Sequence, residues 1–307
     1  MSFASDIKNE LLRAESGSAC CSRAELCGII CFSAGITYKN GKAALRVSTE
    51  SEAAAKRFLN LIRRLFGGVD VLMGESISSG GITLFTIEIK GGADKILREL
   101  YLYDEVFDNH VSFRIRPEIL ECENCERAYL RGAFLGGGTA TNPQKGYHLE
   151  LYTHYHMLSE DTAALLTELG FPAKTTLRKS SHIIYLKGGD VIADFLASIG
   201  AFNAMMELTN IKIEKETNND FNRANNCDIA NTDKAFGAAI KQIQDIEKIK
   251  KNGKYDMLPD QLKEAAKLRL MHKELPLEAL GKLFSPPLSK SGLSHRFKKI
   301  AEIAKDI

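Results

Sequence analysis

At 307 residues, with 44% hydrophobic and 26% charged side chains, the chain has the composition of a soluble globular protein, which excludes an intrinsically disordered polymer. The net charge of +2 hides an asymmetry: from Ile211 onward there are 19 lysines and arginines against 14 acids, leaving 22 against 25 before it. The longest apolar run, "LCGIICFSAGI", is about half of the roughly 20 residues that span a bilayer, and the charged start "MSFASDIKNELLR" does not read as a signal peptide, so a cytoplasmic protein with no membrane partner is expected.

In chain order, the first predicted element is a helix from Arg23 to Ser33. A strand follows near Ala43 to Thr49, where Leu45 and Val47 alternate with Arg46 and Ser48. "SEAAAKRFLNLIRRLFG" reads as a helix that starts on a Ser51 cap, places Phe58, Leu61, Ile62 and Leu65 on one side, and stops at Gly67. Strands near Val69 to Met73 and Thr83 to Lys90 and a helix over "GGADKILRELYL" complete the unit.

The unit then recurs. "RAELCGIICFSAG" from Arg23 and "RAYLRGAFLGGGT" from Arg127 share Arg, Ala, Leu and Gly at one offset, and "LRVST" from Leu45 meets "LELYT" from Leu149 at the same offset. "IEIKGGADKIL" and "IYLKGGDVIADFL" align later. Helices at Ser159 to Gly170 and Asp190 to Gly200, with strands near Ala173 to Leu177 and Ser181 to Lys187, complete the second copy. Two copies can pack about a pseudo-twofold axis. The second motif helix carries glycine at 132, 136, 137 and 138, each at about 1 kcal/mol against alanine inside a helix. Close approach of a second backbone, as when a helix packs against its twin, is one reason for that composition.

Beyond the repeat, "NDFNRANNCDIANTDKA" is rich in asparagine, a poor helix-interior residue, so residues 219–231 are expected to form a turn-rich loop ahead of a linker helix from Ala235 to Lys251. Arg223, Asn225, Asn226 and Lys234 could contact phosphates; equally, the amides could cap their own turns. Three helices follow: "PDQLKEAAKLRLMHKE" with Leu262, Ala265, Ala266 and Leu270 on one side, "PLEALGKLF" after Pro276, and "KSGLSHRFKKIAEIAKDI" after the non-helical "SPPLS". This order fits a helix-turn-helix unit over residues 258–307, as well as a plain three-helix cap with a basic surface. In its last helix Leu293, Phe297, Ile300 and Ala304 share one face, and Ser291, His295, Lys298 and Lys299 the other. Residues 282–299 hold five basic side chains and no acid, which favours a polyanion partner.

The duplicated motif resembles the LAGLIDADG homing endonucleases, whose likeness implies an α+β fold: a duplicated αββαββα domain, here residues 1–218, with two four-stranded sheets and pseudo-twofold symmetry. It also implies that the motif helices pack along the pseudo-dyad, so that Gly132 and Gly136 let the second helix lie against the first at Gly28 and the last glycines end it in left-handed geometry. The same comparison speaks against that family's chemistry. Its metal-holding acids would fall at Ser33 and Gly137, and there is no Asp or Glu from Leu26 through Thr49 or from Arg127 through Leu149, whereas hard divalent cations need anionic oxygen ligands. With the Asn-rich loop and linker helix at 219–257 and "SKSGLSHR" added, the whole chain resembles the WhiA family of bacterial regulators. That resemblance implies a non-enzymatic, sequence-specific regulator of transcription linked to sporulation or cell division, acting on double-stranded DNA at the nucleoid and in contact with RNA polymerase or another transcription factor. Its helix-turn-helix resembles region four of sigma factors, which places Lys290 to Lys299 in the major groove. The DNA-binding residues so assigned are Lys282, Lys290, Ser291, Ser294, His295, Arg296, Lys298 and Lys299, with Arg223, Asn225, Asn226 and Lys234 as additional contacts. An active nuclease, or an N-terminal body that binds protein or a ligand, are the competing functions; Glu88 and Glu150 beside Arg46 and Lys90 on the open sheet face favour the second over a DNA-covering saddle.

No cofactor is expected, since "KGGA" and "KGGD" lack the full phosphate-loop pattern, and no residue is assigned as a metal ligand. Seven cysteines in a chain of this length read as reduced thiols. Cys20, Cys21, Cys122 and Cys125 stand before the two motif helices and could meet as an all-cysteine zinc site, although the adjacent pair is awkward for one tetrahedral centre and burial alone would account for them. His154 and His156 would share a face if their strand continued.

Overall fold

A computed structural model describes residues 2–15, 17–39, 42–77, 81, 83–104 and 110–306; Met1 and Ile307, the outer ends of the segments assigned above, lie outside the described residues. The chain divides after Lys215 into two compact units.

The first unit opens with α1 (Phe3–Leu11), which buries Phe3, Ile7 and Leu11, residues one helical turn apart. The first copy of the repeat is α2 (Ala19–Ser33), β1 (Ala34–Lys39), β2 (Lys42–Thr49), α3 (Glu52–Leu65), β3 (Asp70–Ile77), β4 (Thr83–Gly91) and α4 (Ala93–Glu99). A two-stranded ribbon, β5 (Tyr103–Asp104) and β6 (His110–Val111), precedes the second copy: α5 (Glu123–Gly137), β7 (Gly138–Ala140), β8 (His148–Thr153), α6 (His156–Glu168), β9 (Lys174–Arg178), β10 (Ser181–Lys187) and α7 (Gly189–Ile199). The order αββαββα thus occurs twice, and the two antiparallel sheets run in matching order, β1-β2-β4-β3 and β7-β8-β10-β9. Alternation fixes which face is covered: Leu45 opposite Ile89 and Val47 opposite Ile87 are buried, as are Leu149 opposite Leu186 and Leu151 opposite Ile184.

The glycines of the motif helices are explained by α2 and α5 lying backbone to backbone. A Cβ on Gly28 would fall onto the carbonyl oxygen of Tyr129, and one on Gly132 onto that of Glu25. Glu25 and Tyr129 are themselves equivalent in the repeat, so the two contacts are related by the pseudo-dyad. The end of α5 differs from expectation. Gly138 is extended (φ −85°, ψ 144°) rather than left-handed, because it opens β7 and pairs with Leu151; the position needs glycine because a Cβ there would overlap the Phe134 ring.

Three helices, α2, α5 and α6, start earlier than expected. Ser18 caps α2, its Oγ accepting from Cys21 N at 3.4 Å, so Cys20 and Cys21 lie inside the helix, as Cys125 lies inside α5. Strand β8 stops at Thr153, whose Oγ1 accepts from Tyr155 N at 3.2 Å, and His156 opens α6. His154 and His156 therefore share no sheet face.

The second unit contains the rest of α8 (Phe202–Lys251), then α9 (Asp260–Met271), α10 (Leu277–Gly281) and α11 (Lys290–Lys305). The turn-rich loop expected at 219–231 is absent: these residues are part of α8. Asparagine costs less than about 0.7 kcal/mol against alanine in a helix, and here polar side chains are satisfied within it. Thr232 Oγ1 donates to the Asp228 carbonyl at 2.9 Å, and Asn231 Nδ2 to Cys227 Sγ at 3.6 Å. All of residues 216–238 are exposed, so hydration of the amides is retained. Ile246 and Ile249 from the end of α8 join Leu262, Ala265, Ala266, Leu280, Phe284 and the apolar face of α11 in the core of this unit.

Candidate nucleic-acid interface

Helix α11 begins where Ser289 Oγ accepts from Gly292 N at 3.2 Å. Leu293, Phe297, Ile300 and Ala304 are all buried, as the period of the sequence requires, so the other side of the helix must face solvent. The approach of α10 to α11 is closed by Leu288 N donating to the Gly281 carbonyl at 2.9 Å. A Cβ on Gly281 would collide with the Leu288 carbonyl oxygen.

Beneath α11 lies Arg269, 1% exposed, which periodicity did not single out. Its guanidinium donates to Gln242 Oε1 at 3.0 Å and to the carbonyls of Leu275 and His272 at 2.7 and 3.3 Å. It also stands 5.5 Å from the centre of the Phe297 ring, and burial pulls its pKa down. The signal that could have found it is an arginine at the register of Leu262, Ala265 and Ala266, on the inward side of α9.

The residues assigned to DNA fall into four groups. Lys290, Ser291, Ser294, His295, Lys298 and Lys299 are exposed on the outer side of α11, and Ser291 Oγ lies 3.0 Å from Ser289 Oγ. Lys282 is exposed at the end of α10, with its ammonium 4.0 Å from Glu278. Arg296 is half-buried and already engaged: its guanidinium donates to the Gln261 carbonyl at 3.2 Å, lies 3.5 Å from Glu264 and covers the Phe284 ring. On α8, the helical period puts Arg223, Asn226 and Lys234 on one stripe and Asn225 on the opposite side; Arg223 lies 3.8 Å from Asp220.

In the first unit the open sheet faces carry acids at their centres. Glu88 stands opposite Arg46 and 3.4 Å from Lys90, and Glu150 lies 2.8 Å from His148 and 3.2 Å from Arg178. At the ends of the motif helices, Ser33 Oγ donates to the Ile29 carbonyl at 2.5 Å. A Cβ on Gly137 would sit 2.6 Å from the Tyr152 carbonyl oxygen. The cleft there encloses about 600 Å³ and has Glu50 as the one acid among its described lining residues; burial lowers the pKa of Lys8 beside it, an effect that Glu50 opposes. The acid within α2, Glu25, is fully buried and held by Arg57 at 2.5 Å and Arg131 at 2.8 Å.

Residues 19–103 match the WhiA N-terminal LAGLIDADG-like domain, residues 126–218 the WhiA LAGLIDADG-like domain and residues 221–304 the WhiA C-terminal HTH domain. A relative from Alkaliphilus metalliredigens called "Probable cell division protein WhiA" is 38% identical over 309 residues, covering 99% of this chain and 98% of its own. The chain belongs to the WhiA family. A second WhiA of the same description, from Macrococcus caseolyticus, is 38% identical over 311 residues, covering all of this chain and 97% of its own. The crystal structure of full-length WhiA from Thermotoga maritima superposes with a TM-score of 0.61 at 27% identity, covering 100% of this chain and 99% of that one. In WhiA terms, the first unit is the paired LAGLIDADG-like fold and the second ends in the helix-turn-helix. Among the described residues, no helix is long and apolar enough to cross a membrane.

Proposed function

We propose that this WhiA-family chain is a sequence-specific DNA-binding regulator of transcription, serving cell division or sporulation, in which α11 reads DNA and the LAGLIDADG-like fold is not catalytic. The observation that carries the reading is the outer side of α11. A helix held by four buried apolar residues presents Lys290, Ser291, Ser294, His295, Lys298 and Lys299 to solvent, with no acid from 282 through 299. Ser291, Ser294 and His295 have the donors and acceptors for base edges in a major groove; Lys282, Lys290, Lys298 and Lys299 have the charge for phosphates. Arg296 serves to brace α9, and the Arg223, Asn226 and Lys234 stripe of α8 offers a second phosphate contact, with Asn225 outside it. Such a reader works at the nucleoid in the cytoplasm, and recruitment or exclusion of RNA polymerase or another transcription factor is how binding would reach transcription.

The loss of nuclease chemistry is supported by what occupies the place of the acids. Ser33 bonds its own helix, Gly137 has no room for a side chain, and Glu25 is spent on two arginines. A single carboxylate at Glu50 cannot hold a pair of divalent cations.

Binding curves on a selected operator and on scrambled duplex, over a range of salt, test the assignment. Lys298→Ala or Lys299→Ala should weaken both duplexes alike and reduce the salt slope by about one. His295→Ala should erode discrimination between them by roughly 5- to 150-fold, as one good base contact would. Undiminished specificity in a chain lacking residues 258–307 would sink the proposal and make the first unit the reader.

A further inference from the structure

The N-terminal ends of the paired helices carry a cluster that DNA reading leaves unused. Cys20 and Cys21 lie in the first turn of α2, Cys122 stands at the N-cap position of α5, and Cys125 lies in its first turn. Their four sulfurs are all within 4.8 Å of one another. Cys122 Sγ is 3.4 Å from that of Cys125, 3.7 Å from that of Cys21 and 3.8 Å from that of Cys20, and Cys21 Sγ is 4.0 Å from that of Cys125. Tetrahedral zinc with bonds of about 2.3 Å needs sulfurs about 3.8 Å apart. A disulfide needs about 2.05 Å, and the four are free thiols.

We propose that Cys20, Cys21, Cys122 and Cys125 form an all-cysteine structural zinc site that fastens the two repeats together at one end of the pseudo-dyad. Consecutive residues of a helix diverge by about 100°, which makes Cys20 and Cys21 an unpromising pair in sequence. Here Cys122 stands off the end of α5, between the two, and both sulfurs reach it. Four soft thiolates and no carboxylate favour zinc over magnesium or calcium. With every corner of the tetrahedron taken by protein, no coordination position is left for water or substrate, so the site is structural. Cys21 and Cys125 are buried while Cys122 is exposed, which gives the ion a way in. Loading exchanges four S–H bonds for four Zn–S bonds and releases four protons, with no change in oxidation state. The resulting centre carries a net charge of −2, offset by the positive ends of both helices. The ligand pairs are about a hundred residues apart in sequence, 101 between Cys21 and Cys122, so the ion closes a long loop and constrains the unfolded chain.

The site is independent of the DNA proposal, and its test does not involve DNA. Full-length protein purified without chelator should contain one zinc per chain by elemental analysis, and Co²⁺ added to the stripped protein should give the intense visible bands of tetrahedral thiolate cobalt. Cys122→Ser with Cys125→Ser should abolish both signals, whereas Cys227→Ser, at an exposed thiol on α8, should leave them unchanged. If the double variant does not fold, the wild-type chain decides: treatment with excess chelator should lower the melting temperature by several degrees, and stoichiometric zinc should restore it. Protein from zinc-replete cells that holds no zinc, with the four thiols freely reactive or two of them joined as a disulfide, would overturn the proposal.

Discussion

Glu25 is the one buried acid among the described residues. It is fully buried, and Arg57 and Arg131, themselves only 10% and 14% exposed, both bond its carboxylate; Arg57 goes on to the carbonyls of Leu12 and Ala14. Removing one partner from a buried ionic cluster leaves uncompensated charge, so Glu25→Gln should destabilise the protein by about 3–5 kcal/mol, read as a loss in chemical-denaturation midpoint. Arg269 has the same role in the second unit with neutral partners. Arg269→Met keeps volume under Phe297 but strands Gln242 and two carbonyls, at about 1–3 kcal/mol for each group left dry. The variant should melt lower and, if α11 reads DNA as proposed, bind a selected operator less tightly. Had Arg269 merely filled space, Met would be nearly neutral.

The pairing of α2 with α5 rests at Gly28 and Gly132 on backbone contact. Gly132→Leu would have to displace the Glu25 carbonyl and should cost roughly 1–3 kcal/mol or more through overpacking; an unchanged melting temperature would count against the pairing. For α8 the opposite sign is expected. Asn225→Ala with Asn226→Ala replaces two exposed residues in a helix and should raise helicity and stability by a few tenths of a kcal/mol each, up to about 0.7, visible by circular dichroism and by slower amide exchange through residues 220–232. A loop in that segment would show no gain. Asparagine misled because propensity is a small local term, and a long helix with hydrated side chains tolerates several of them.

For the whole molecule, the decisive expectation is chemical. Purified protein should not cut plasmid DNA in magnesium, and Gly137→Asp should not restore cutting, since its Cβ has no space beside the Tyr152 carbonyl; the variant should lose stability instead. Specific magnesium-dependent cleavage by the unmodified chain would overturn this. Much of the architecture is legible in the sequence. The repeat and the inward face of α11 follow from two aligned strings and from local periodicity, which survive in sequence because each side chain's direction is set by its own helix or strand; the close approach at Gly28 and Gly132 and the missing acids at Ser33 and Gly137 follow from the resemblance of the motif to the LAGLIDADG fold. What needed the tertiary structure were convergences of residues far apart in the chain or adjacent but diverging in a helix. Glu25 meets two arginines from other helices, Arg269 turns inward to carbonyls, Arg296 folds onto α9 instead of facing outward, and Cys20 and Cys21 find Cys122 and Cys125. No period encodes such meetings, because they are decided by how closely two helices pack and where their ends fall.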